Sequence, residues 1–304
     1  MNEFRLHRGL AVILYHYRGD IPNFGDELNE WLFPRLLPAG FFDNSPDTLF
    51  LGIGSVLFDT HPATQRKLVF GSGYGGYTAK PRIDANWDIR FVRGRMTASA
   101  LGLDPRTAVG DAAILLSTMG LRRTPVPGRR VFMPHVDGVS SGAWADIAAE
   151  AGLYYLDPSL PVARVLETLL SAETVVTEAL HGAIVADTLR VPWIAMRPIF
   201  PVHRAKWDDW ASVLNLELRW HRHFPSNLCE ALMLAAGGRR YATRRIRWYM
   251  RNLSSLGSSS IGAIAVRALR NAAAQEPQLS RDSDLNRAGE QMQVELGRLL
   301  APRS

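Results

Sequence analysis

TVVTEALHGAIVADTLRVPWIAMRP, residues 174–198, is the stretch whose reading decides the fold. Thr174 to Thr177 is a short apolar and β-branched run, which predicts a buried strand. It turns at His181-Gly182 into a helical pattern, Pro192 stops that helix, and Trp193 to Met196 predicts a second strand ending at Arg197. Strand, helix, strand in so few residues is a parallel α/β unit. The same alternation extends upstream, with predicted strands at Val131 to Met133 and Leu153 to Leu156 and helical patterns after Ser141, Val162 and Gly182. The first half repeats it. Strands are predicted at Leu10 to Tyr15, Thr48 to Ile53, Lys67 to Phe70, Trp87 to Val92 and, briefly, Thr107 to Val109. Asp26 is expected to cap a helix with Leu28, Trp31, Leu32 and Leu36 on one face, bent and stopped by Pro34 and Pro38. A short helix over Thr97 to Leu101 ends at Gly102. The loop RRTPVPGRR, residues 122–130, punctuates the two series, so two doubly wound α/β domains are expected over residues 1–124 and 125–228. A helical basic extension follows over 229–304, interrupted by SSLGSSS at 254–260, with the last ~45 residues expected to attach loosely.

Composition agrees with a folded chain of that size. The 304 residues are twice the ~150 that typically make one domain. Apolar residues at 47% and charged residues at 21% exclude a disordered or fibrous chain. Cys229 is the single cysteine, which excludes an intrachain disulfide and a multi-thiolate metal site, and fits a reducing compartment. The apolar run Ala11 to Tyr15 is too short for a signal-peptide core, and no run approaches the ~20 residues of a membrane span. A cytoplasmic protein is expected. Its net charge of +6 is matched by the six arginines of RRYATRRIRWYMR, residues 239–251. The rest of the chain is neutral, which excludes a broadly basic nucleic-acid-binding domain. Interleaved with Tyr241, Trp248 and Tyr249, that segment reads either as a basic surface helix or as a peripheral contact with an anionic inner leaflet.

In parallel sheets ligands bind beyond the carboxyl ends of strands, so polar residues at those corners are the candidates. His181, just before a helix, can transfer protons near neutral pH, and Gly182 beside it would admit a ligand to the backbone. Arg197 ends the next strand and could grip a carboxylate or phosphate. In HYRGDIPNFGDELNEWL, Asn23, Gly25, Asp26 and Glu27 follow the first strand, with catalysis and helix capping both open. Glycine corners occur at Gly52-Ile-Gly54-Ser55 and at Gly71-Ser-Gly73-Tyr-Gly-Gly76. The second matches the dinucleotide pattern in form but lacks the helix that must begin there, which discounts a dinucleotide. Arg93 and Arg95 stand between a strand and a helix, where two cations oppose the helix dipole unless an anion lies between them. His135, after VFMP, opens the matching corner of the second half. His16, His61, His203, His221 and His223 share no ligand spacing, so no metal site is expected.

Taken together, NFGDEL at 23–28, VRGRMTASALGL at 92–103, VGDAAILL at 109–116 and ALHGAIVADTLRVPWIA at 179–195 resemble the polysaccharide pyruvyl transferase family. MPH at 133–135 and KWDDWASVL at 206–214 resemble the branch acting on exopolysaccharides such as succinoglycan. The resemblance implies two Rossmann-like domains facing a cleft, as in a type-B glycosyltransferase. It also implies phosphoenolpyruvate as donor, an oligosaccharide acceptor expected to be lipid-linked, a cyclic pyruvate ketal as product, and no cofactor. Many relatives carry Arg-Leu-His in the last block; here the histidine is His181 but the arginine position is Ala179. The expected site is therefore His181 and Asp26 for catalysis, Arg93, Arg95, Arg197, Gly182 and His135 for the donor, and Asn23, Gly25, Glu27, Gly54, Ser55 and Gly73 for the acceptor.

Two other classes fit the same residues. A type-B glycosyltransferase using a nucleotide sugar would need the same cleft and arginines. A non-catalytic protein of polysaccharide assembly would tolerate Ala179, although it would have no need of His181.

Overall fold

The structure, a computed structural model, describes residues 12–43, 47–236 and 258–301. Arg239 to Arg251 lie outside them. Four parallel strands, β1 (Val12–Tyr15), β2 (Thr48–Leu51), β3 (Arg66–Phe70) and β4 (Trp87–Phe91), make the first sheet in the order β1-β2-β3-β4. The second is also parallel, in the order β6-β5-β7-β8-β9, from β5 (Arg130–Met133), β6 (Tyr154–Tyr155), β7 (Thr174–Thr177), β8 (Trp193–Met196) and β9 (Trp220–His221). The chain leaves β5 for β6 on one side and returns to β7 on the other, which makes a switch point between β5 and β7.

Helix α1 (Phe24–Leu36) places Phe24, Leu28, Leu32 and Phe33 in the core. Phe33 meets Phe50 and Phe70 edge to face, and Phe70 meets Phe91 likewise, so the first sheet packs through aromatic contacts. The expected start of α1 is corrected. Asn23 precedes the first turn, and Asp26 lies inside it, three residues on. Pro34 sits within the helix rather than stopping it. Helix α2 (Arg95–Ala100) follows β4, and the expected strand at Thr107 to Val109 is a 3₁₀ turn at Pro105–Thr107 with one bridge from Ala108 to Val92.

In the second half, α3 (Val136–Ser141), α4 (Trp144–Glu150), α5 (Val162–Leu170), α6 (Leu180–Thr188) and α7 (Ala205–Val213) surround the sheet, and α8 (Leu228–Ala235) follows β9. A continuous apolar core joins both sheets through α1, the 3₁₀ segment Ala112–Met119 and α6. The VGDAAILL block is therefore buried between the halves, with Ile114, Leu115 and Leu116 excluded from solvent.

The loose attachment expected of the C-terminal residues is overturned. Helix α9 (Ser258–Ala273) buries Val266 and Leu269, and α10 (Asp282–Leu300) buries Leu285 and Met292. Asp187 fastens the link between them, accepting hydrogen bonds from Ser280 N at 2.7 Å and Trp193 Nε1 at 3.0 Å. Among the described residues no helix is long and apolar enough to cross a membrane.

Candidate active site

The carboxyl ends of β1, β2 and β4 face those of β5 and β7 across a cleft of about 820 Å³, large enough for two small substrates. Asn23, Asp26, Gly54, Ser55 and Arg93 line it from the first half, and His135 and His181 from the second.

His181 lies in the first turn of α6, a consequence of β7 ending at Thr177. Its Nε2 is 3.4 Å from Asp111 Oδ2, and Asp111 is fully buried with its other oxygen accepting from Ala113 N. A buried carboxylate at ion-pair distance from one ring nitrogen favours a positive imidazole and leaves the other nitrogen for chemistry. That other nitrogen, Nδ1, stands over Gly25 so closely that a Cβ there would be 2.0 Å away. Gly25 therefore makes room for the imidazole and does not itself line the cleft.

Asp26 is beside it on α1. Its Oδ2 accepts from Asn23 Nδ2 at 2.7 Å, which orients the carboxylate. Burial raises its pKa, and this outweighs the Asn23 hydrogen bond and the positive charges of His181, Lys206 and His16. A carboxyl group that binds a proton more readily than usual beside a histidine is suited to proton transfer.

The arginines divide. Arg93 is fully buried, its Nε 2.9 Å from Asp209 Oδ2 and its Nη1 2.7 Å from Ser55 Oγ. Asp209 Oδ1 also accepts from Thr97 N at 2.9 Å. The anion that two arginines at a helix start require is thus Asp209, delivered from α7 of the opposite half. Arg95 instead points to the surface, its Nη2 near Asn215 Oδ1, and Arg197 is exposed; neither lines the cleft. The structure therefore does not bring these two expected donor ligands together with the cleft residues. Gly73 makes room for the Arg93 guanidinium, which a Cβ would approach to 2.2 Å, and Gly182 makes room for Thr177 and Met133. Glu27 is half-buried on α1 and outside the cleft.

Several cleft residues escaped sequence reading. Tyr17 and Asp20 lie in the loop after β1, Tyr77 in the glycine loop after β3, His203 at the end of a 3₁₀ turn (Pro201–His203) and Lys206 in the first turn of α7. Only Lys206 carried a signal, as the first residue of KWDDWASVL. His203 stacks on His135 with centroids 3.9 Å apart, and its Nε2 is 3.1 Å from Asp137 Oδ2. His135, Asp137 and His203 bring ligand-type atoms within 4.8 Å of one another, a grouping their sequence separation hid. Both His203 nitrogens and His135 Nδ1 are engaged, however, and Lys206 Nζ is 3.4 Å from His135 Nε2. An ammonium at that distance opposes a divalent cation, so the cluster suits an anion better.

Residues 65–198 match the family described as polysaccharide pyruvyl transferase. Over 300 residues the chain is 34% identical to "Succinoglycan biosynthesis protein ExoV" of Rhizobium meliloti (strain 1021), covering 89% of this chain and 93% of that one. Two solved structures of the wall teichoic acid polymerase TagF are each 8% identical. One has a TM-score of 0.35 over 96% of this chain and 90% of that chain, the other 0.30 over 84% and 74%. Neither likeness is strong enough to argue from.

Proposed function

Since the chain belongs to the polysaccharide pyruvyl transferase family, we propose that it moves the pyruvyl group of phosphoenolpyruvate onto two hydroxyls of one sugar in an exopolysaccharide unit. The products are a cyclic ketal and inorganic phosphate. The observation that carries this reading is His181, with Asp111 at 3.4 Å from one nitrogen and Asp26 in the same cleft.

The chemistry balances with those groups. Protonated His181 gives a proton to the methylene carbon of the enol, which becomes a methyl, while a sugar hydroxyl bonds to the adjacent carbon. Asp26 accepts the proton that this hydroxyl loses. The second hydroxyl then displaces phosphate from the same carbon, its proton returning to His181, while the phosphate leaves with the C–O bonding pair and takes up the proton held by Asp26. No electron acceptor is needed. Arg93, held by Asp209 and Ser55 in the cleft wall, adds positive charge behind Ser55 on the side where the phosphate leaves.

Phosphate release from phosphoenolpyruvate, assayed with soluble and lipid-linked oligosaccharides and in parallel with nucleotide sugars, tests the reading. Release that depends on oligosaccharide supports it; glycosyl transfer from a nucleotide sugar without such release overturns it. The acceptor is read as lipid-linked because Arg239 to Arg251 combine six arginines with three aromatic rings, a composition that binds anionic bilayers. Sedimentation with anionic vesicles, reversed by salt, checks that part.

A further inference from the structure

We propose that Lys206 and His135 together form an oxyanion grip in the cleft and hold one end of the donor, an assignment of ligand that rests on the reading above. The geometry of two donors without an acceptor carries it. Asp137 N donates to His135 Nδ1 at 3.2 Å, so in the neutral ring the proton is on Nε2. That N–H and the Lys206 ammonium are 3.4 Å apart, and neither can accept from the other. One oxygen of an anion seated between them would accept from both.

The surrounding charges point the same way. Among the described residues no carboxylate lies within ion-pair distance of Lys206, whereas Arg93 is already held by Asp209. Lys206 is also in the first turn of α7, where a cation opposes the helix dipole. Position 179 is alanine and adds no charge. The second donor is rigid. The His203 ring stacks on His135, and His203 is itself held between Asp137 Oδ2 at 3.1 Å and the Tyr77 hydroxyl at 3.2 Å. Burial first, then the neighbouring His203 and Lys206, keep His135 well below its usual pKa, so it serves as a neutral N–H donor while Lys206 supplies the charge.

The test is titration of the full chain, and of Lys206→Gln and Lys206→Arg, with inorganic phosphate, pyruvate and phosphoenolpyruvate, read by NMR and by thermal shift. Loss of a charged hydrogen bond predicts ~10- to 100-fold weaker phosphoenolpyruvate binding in Lys206→Gln. Lys206→Arg should stay within a few-fold of the parent. A parallel loss with phosphate assigns the grip to the phosphoryl end, and with pyruvate alone to the carboxylate end. Unchanged affinity for all three probes in a folded Lys206→Gln protein overturns the grip and leaves the transfer reading standing, as does a parent chain that binds phosphoenolpyruvate but shows no dependence on residue 206. A parent chain that binds phosphate through Lys206 yet never releases phosphate from phosphoenolpyruvate keeps the grip and overturns the reading. Failure of the parent to bind any of the three overturns the grip.

Discussion

Gly25 and His181 come from opposite halves of the molecule, yet the imidazole lies where a side chain at position 25 would have to be. A Cβ on Gly25 would stand 2.0 Å from Nδ1 and 2.5 Å from Cγ. In an ordinary helix Gly→Ala stabilises by roughly 1 kcal/mol. Here Gly25→Ala should do the reverse, losing ~1–3 kcal/mol as the ring is displaced. Turnover should fall ~10²-fold or more, because a displaced acid/base group no longer reaches its proton. Chemical denaturation and steady-state kinetics check both; a stabilised, fully active Gly25→Ala protein would refute the placement of His181.

Asp26 shows the tension expected of a functional carboxyl group. Burial raises its pKa, so the folded state holds the proton more tightly than the unfolded state. The stability this gives is complete below the ordinary carboxylate value of 3.8 and is lost as pH rises through the raised value in the folded protein. Asp26→Asn does not titrate and keeps an oxygen for Asn23. It should therefore melt higher than the parent at neutral pH, with the advantage shrinking to nothing below pH 3.8, while turnover drops by ~10² or more. Melting curves across pH decide it: a variant less stable at pH 7 than at pH 3, relative to the parent, contradicts the argument.

Asp209 ties the two halves together by accepting from Arg93 Nε, Thr97 N and Thr97 Oγ1. Removing one partner of a buried pair leaves the other charge uncompensated, so Asp209→Ala should cost about 3–5 kcal/mol. The charge, rather than the lost volume, is the stated cause. Adding Arg93→Met to Asp209→Ala should then recover part of the loss, and a double variant no more stable than Asp209→Ala alone would remove the electrostatic explanation.

How much of this was legible follows from what sequence encodes locally. Thr174–Thr177 and Trp193–Met196 are strands over the residues expected, because Pro192 and the His181-Gly182 corner bound them sharply. The strand read at Thr107 to Val109 gave way to a 3₁₀ turn because Pro105 sets the backbone there. His181, Asp26 and His135 could be found since strand ends point them at one edge. Arg95 and Arg197 share that position, but pattern does not tell which way a long side chain turns. The paradox of two arginines at a helix start was visible; its resolution, an aspartate 116 residues away, was not. Lys206, His203 and Tyr77 reach the cleft only through packing between the halves, which no local pattern records. The tail looked detachable because its polar face dominates the sequence, whereas Met292 and Leu269 anchor it.

Glu178, one residue before Ala179, gives the last expectation. It is buried at the end of β7, accepting from His135 N at 3.1 Å and Ile199 N at 2.7 Å, with His223 Nδ1 at 3.7 Å. Burial alone would raise its pKa, but the neighbouring His223 and the His135 and Ile199 backbone N–H groups that donate to it bring it down from 4.5 to about 2. The folded state thus favours the carboxylate. Its contribution is fully present above pH 4.5 and is lost as pH falls toward 2, as the side chain protonates in the unfolded chain first. Glu178→Gln should be less stable than the parent at pH 7 and should close the gap between pH 4.5 and 2, since it has no proton to take up. Because Glu178 also holds the His135 backbone, the variant should weaken binding in the cleft even where it remains folded. Parallel melting curves with a constant offset down to pH 2 would show that the carboxylate's charge is not what stabilises this corner.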